Sequence, residues 1–113
     1  MEISGLIIPD DALVIRGGRN QASDIQRGTG THPAGVTGVS VESAEGVSVT
    51  ELAQTIPHSQ IGITTVAEVR KAGGNVVRTD GRSPYHATLT GLTPEQVSKL
   101  LTPTVPNPGR ERR

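Results

Sequence analysis

From Asn75 to Thr90 the chain reads NVVRTDGRSPYHATLT: two short runs suited to extended backbone, Asn75–Thr79 and Pro84–Thr90, separated by Asp80-Gly81-Arg82-Ser83. Val and Thr favour a pleated, half-buried surface, and the Asp-Gly segment supplies turn chemistry, so the stretch predicts an antiparallel hairpin. Side chains alternate along a strand. His86, Thr88 and Thr90 therefore share one face and Tyr85, Ala87 and Leu89 the other, with the apolar set toward the helices. His86 is then expected to be accessible, and its replacement by Ala to change stability by no more than roughly ±0.5 kcal/mol.

Upstream of the hairpin, Thr65-Val-Ala-Glu68 has capping-box spacing and opens a helix that stops at Gly73-Gly74. Downstream, Thr93 as cap, Pro94 at the first helical position and Gln96 three residues after the cap start a helix through Leu101. Further back, Ser59–Ile63 alternates as a strand, and Ser48-Val-Thr-Glu51 opens a two-turn helix ended by Pro57. Val36–Val41 reads as a strand, as does Ala12–Arg16, which is closed by Gly17-Gly18. Arg19–Gly35 reads as a long polar loop with at most one helical turn near Ser23–Gln26. The expected fold is one α+β domain over residues 1–102, a mostly antiparallel sheet of about four or five short strands with about three short helices on one face. Three prolines mark 103–113 as a tail.

Composition narrows the function. The chain has 113 residues, 33% of them hydrophobic, with Tyr85 as its single aromatic and no cysteine. A row of rings for stacking bases is therefore missing, and so are thiolate chemistry and cysteine zinc sites. The longest apolar run, Ala12–Ile15, is too short for a membrane span or a signal peptide, which predicts a soluble chain without a membrane partner. Charge is zero overall yet uneven: residues 1–56 hold seven acids against three arginines, and residues 57–113 eight cations against four acids. A basic face of that kind can position a phosphate at one site without coating nucleic acid.

No nucleotide loop, hydrolase elbow or recurring metal-ligand spacing is present. What remains are polar groups at strand ends and helix starts: Arg16, Thr64, Thr65, Arg70, Arg78, His86 and Thr88. Arginines offer charge-assisted bonds to phosphate, threonines at a helix start offer hydroxyls beside free amides, and histidine offers a movable proton. His32 and His58, each beside a proline, read as surface histidines. The set amounts to the equipment of a metal-independent ribonuclease, in which the 2′-hydroxyl of RNA attacks and the protein moves protons. His86, Arg16, Thr65 and Arg70 are the expected catalytic group, converging on one cleft. Thr64, Arg78, Tyr85 and Thr88 are the expected substrate contacts, with no metal or other cofactor.

The sequence resembles small bacterial toxin domains of the kind found at the C-terminal ends of polymorphic toxins. The resemblance lies in Arg16-Gly17-Gly18 after a strand, in Thr64-Thr65 with Arg70 and Gly73-Gly74, in the strand-borne His86, and in Asn107-Pro108. It implies an RNA substrate, a neutralising immunity or antitoxin protein as partner, and action in the bacterial cytoplasm after delivery as part of a larger secreted protein. It also implies a second activity, ADP-ribosyl transfer from NAD. That activity goes with a strand-borne arginine in LVIRGG, a Ser/Thr strand in GVSVES, and a third polar residue on a late strand, here His86, with Tyr85 to stack nicotinamide. A non-enzymatic binding or antitoxin-type module is the third expectation.

Overall fold

Period-two alternation of β-branched residues builds most of the structure. The computed structural model describes residues 7–109. The strands are β1 (Leu13–Gly17), β2 (Gly30–Thr31), β3 (Thr37–Ala44), β4 (Gln60–Thr65), β5 (Asn75–Arg78), β6 (His86–Thr90) and β7 (Val105–Pro106). The helices are α1 (Ala22–Gly28), α2 (Val49–Leu52), α3 (Val66–Lys71) and α4 (Pro94–Leu100). Every strand pair is antiparallel, in the order β5-β6-β3-β1-β4-β7, with β2 added beside β3. The α+β, mostly antiparallel class is as expected, but seven strands and four helices exceed the expected four or five strands and three helices.

The helix starts follow their caps. Ser48, Thr65 and Thr93 each accept the backbone N–H three residues on through their side-chain oxygens, and Gln96 completes a reciprocal box at α4. α1 begins differently: the Asp24 carboxylate accepts the Gln21 N–H, and this extends the one turn expected near Ser23 to seven residues.

Opposed residues in an antiparallel pair share a face. Val14, Val39, Val41, Val76, Ala87 and Leu89 lie on one face, where they form the larger core with Ile25 of α1, Val66 and Val69 of α3, and Val97 of α4. Ile15 and Ile61 lie on the other face and pack under Leu52, Ala53 and Ile56 around α2. The helices are thus not all on one face, as the sequence led us to expect, because Leu52 and Ile56 cover the opposite side of β1 and β4.

α2 covers only half of that second face. The rest, carried by β3 and β6, presents Ser40, Glu42, His86 and Thr88. The sheet also parts here. β1 pairs with β3 only from Leu13 to Ile15, then follows β4 as far as Gly17, while β3 continues alone beside β6 and β2.

The expected tail is corrected over residues 103–109. Val105 and Pro106 pair with Ile61 and Gln60, and the buried Asn107 amide donates to the carbonyls of Ile56 and His58. An unpartnered edge strand takes up an extended, proline-containing segment readily, because Pro is tolerated where few ladder bonds are needed. Residues 110–113 of that stretch lie outside the described residues.

The close approach of β3 to β6 makes Gly38 irreplaceable, since a Cβ there would collide with the Leu89 carbonyl, whereas one at Gly30 would meet open space. Gly38→Ala is expected to lower stability by about 1–3 kcal/mol, as overpacking does. Gly30→Ala should be neutral or stabilising by up to about 1 kcal/mol. Chemical denaturation of the two variants checks the difference, and equal midpoints would contradict this pairing of β3 with β6.

Candidate active site

The β3–β6 register places Glu42 opposite His86 and Ser40 opposite Thr88. The hairpin loop then fixes the imidazole. His86 Nδ1 lies 3.2 Å from the Thr79 carbonyl oxygen and 3.0 Å from the Thr79 hydroxyl. A carbonyl can only accept, so the contact with it places the proton on Nδ1, and the Thr79 and Thr88 hydroxyls are hydrogen-bonded to each other at 2.9 Å. Gly81 lies against the ring so closely that a Cβ there would collide with it.

With Nδ1 protonated, the lone pair of neutral His86 sits on Nε2, and the Ser40 hydroxyl donates to it at 3.1 Å. Ser40 is exposed, and His86 is half-buried. The result is an imidazole held by the hairpin loop, with Nε2 facing a hydroxyl at the surface. His86 is thus outside the core, as expected, but only half-exposed, and its ring belongs to a hydrogen-bonded network that includes the buried Thr79 and Thr88.

His32 lies next to this group, with its ring centroid 6.0 Å from that of His86. Its Nδ1 accepts the Ala34 N–H at 2.9 Å, so Nε2 must donate to the Asp80 carbonyl at 2.7 Å. Both nitrogens of His32 are thus committed, and the residue ties the loop after β2 to the β5–β6 hairpin. The cleft between them, about 190 Å³, is lined by Gly28, Gly30, Thr31, His32, Gly38, Ser40 and Thr88.

Two charged groups flank the network. Burial pushes the Glu42 carboxyl above its ordinary range, and Ser83, His86 and Arg78 pull it part of the way back. Its Oε1 is buried without a hydrogen-bond partner. Arg78 donates to the His86 carbonyl at 3.1 Å, and its own pKa is lowered by burial against the opposing effect of Glu42.

Of the residues expected from sequence, His86 and Thr88 come together, and Arg78 reaches them through the backbone. The other five do not join them. Arg16 lies on the Val14 face, where Nη1 donates to Asn20 at 2.9 Å and the side chain runs beneath Gly28. Thr64 is buried, and Thr65 caps α3. Arg70, on α3 and so across the sheet from His86, pairs with Asp10 at 2.6 Å and Asn75 at 3.0 Å. The Tyr85 hydroxyl donates to Glu51 at 2.7 Å, and its ring packs against the α2 core.

The single cleft expected for Arg16, Thr65, Arg70 and His86 is therefore not formed, because alternation and helix placement separate them. Ser40, Glu42, Thr79 and His32 take their place. The alternation of VSVES put Ser40 and Glu42 on one side of their strand, but nothing local said that β6 would be the neighbour. Among the described residues, no group of three or more His, Asp or Glu side chains is placed to hold a metal ion. Nor is any helix among them long and apolar enough to cross a membrane.

Two outcomes are expected. His86→Ala should cost about 1–3 kcal/mol, since it strips partners from a buried network. For Glu42, a raised carboxyl pKa means that the folded state holds the proton more tightly than the unfolded chain. Stability should then fall as pH rises above the ordinary glutamate value of about 4.3. Melting temperatures of wild type and Glu42→Gln should therefore diverge in favour of the variant between about pH 4 and 7. Parallel curves would contradict the burial of this carboxyl.

A scan of protein-family models, a search of curated proteins and a search of solved structures each find no match to this chain.

Proposed function

We propose that the domain is a bacterial toxin that cleaves RNA without a metal ion, with His86 as the base. The observation that carries this reading is the geometry of the imidazole: Nδ1 held at the Thr79 carbonyl, and Nε2 3.1 Å from the hydroxyl of Ser40, a residue that lines the cleft. A ribose 2′-hydroxyl entering the cleft would take the place of the Ser40 hydroxyl and give its proton to Nε2. The 2′-oxygen would then attack the adjacent phosphorus and expel the 5′-oxygen, leaving a cyclic phosphate. Glu42, opposite His86, would stabilise the imidazolium formed in that step. Thr31, Thr88 and the backbone of Gly28, Gly30 and Gly38 allow close approach of a sugar-phosphate.

A toxin of this kind acts in the cytoplasm of the cell it harms and requires a neutralising protein in the cell that makes it.

One observation favours ADP-ribosyl transfer as a second reading. The strands that carry Arg16, Ser40 and His86 are neighbours in the sheet, in the order β1-β3-β6, and the sheet parts between the first two. Against it, Arg16 is bonded to Asn20 on the opposite face, and the Tyr85 ring is held at α2. RNA cleavage is therefore the better supported.

Incubating the purified domain with cellular RNA, with chelator and without NAD, should yield fragments ending in 2′,3′-cyclic phosphate. His86→Ala should reduce the rate by about 10²–10⁴-fold while remaining folded. In a parallel incubation with NAD added, consumption of NAD with intact RNA would replace this reading with the transferase. Intact RNA and intact NAD would leave a binding module.

A further inference from the structure

We infer that Ser40 is a nucleophile, and that the cleft can form a covalent phosphoryl-serine with activated phosphorus esters. The inference uses the same base as the RNA-cleavage reading but concerns a different attacking group. A weak nucleophile becomes reactive when a base lies within hydrogen-bond reach and a third group orients that base. All three parts are present. Ser40 Oγ is 3.1 Å from His86 Nε2, and Thr79 holds Nδ1 through its carbonyl at 3.2 Å and its hydroxyl at 3.0 Å. The Gly81 backbone lies against the ring and leaves it little room to turn.

Position separates Ser40 from Ser43, Ser48 and Ser83. The Ser43 hydroxyl is fully buried on the other face, Ser48 caps α2, and Ser83 accepts the Tyr85 N–H. Ser40 alone among them is exposed at a cleft with its hydroxyl on a histidine. It also sits in the middle of β3, paired through Thr88 to β6, so its Cα is held by the sheet and not by a loop.

The step balances as an ordinary displacement. Ser40 Oγ forms a bond to phosphorus while its proton passes to His86 Nε2. The bond to the leaving group breaks, and the leaving group departs with the bonding electron pair. His86 then releases the proton to the leaving group or to water.

A fluorophosphonate, whose leaving group is fluoride, is the probe. The full chain should be labelled on one residue, identified as Ser40 by mass spectrometry of the peptides. Ser40→Ala should abolish labelling, His86→Ala should slow it by about 10²–10⁴-fold, and urea-unfolded protein should not react. An unlabelled folded protein, labelling that persists in Ser40→Ala, or an unchanged rate in His86→Ala would each overturn the inference. RNA cleavage by the same wild-type preparation is measured separately. Fragments without labelling overturn the Ser40 inference and leave the RNA reading intact, whereas labelling without fragments overturns only the RNA reading.

Discussion

Antiparallel pairing of β3 with β6 is the constraint from which both core and cleft follow. With Val39 opposite Leu89 and Val41 opposite Ala87, one set of alternate residues closes the larger core. The other set is then obliged to meet on the opposite face as Ser40 against Thr88 and Glu42 against His86. A shift of one residue would bury the histidine and carboxylate and expose the valines, so the register that stabilises the fold is the one that assembles the polar cluster. Gly38 belongs to the same constraint, because any side chain there would force the two strands apart.

The polar half of the sheet is costly by comparison with the α2-covered half. An orphaned carboxylate oxygen at Glu42 loses hydration without gaining a bond, and a wholly apolar face would be more stable. His32 and His86 show two uses of the same side chain in this setting. His32 is bonded through both nitrogens to backbone and ties the loop after β2 to the hairpin. His86 commits only Nδ1 to backbone and leaves Nε2 to a surface hydroxyl, and a base needs that asymmetry.

Much of this architecture was legible in short stretches. The hairpin of β5 and β6, the shared face of His86 and Thr88, and the starts of α2, α3 and α4 follow from alternation and capping, which act over a few residues. The misread parts depend on distant partners. Residue type alone groups Arg70 with His86, yet Arg70 is held across the sheet by Asp10, 60 residues away. Ser40 could be placed on its strand but not beside His86, because contact between residues 46 apart depends on the order of strands in the sheet. β7 was hidden for the same reason: its prolines speak against regular structure until β4 offers an edge.

Under the proposed function, the nucleotide binds at the Ser40–His86 face, and not at the helix-covered face or the split at Arg16. Titrating the isotope-labelled domain with a 2′-deoxy dinucleotide, which cannot undergo 2′-hydroxyl attack, and following backbone amide shifts by NMR tests it most directly. Shifts concentrated at Gly28–Thr31, Gly38–Ser40 and His86–Thr88 are expected. Shifts centred on Arg70 and α3, or on Arg16–Arg19 with His58, would contradict it.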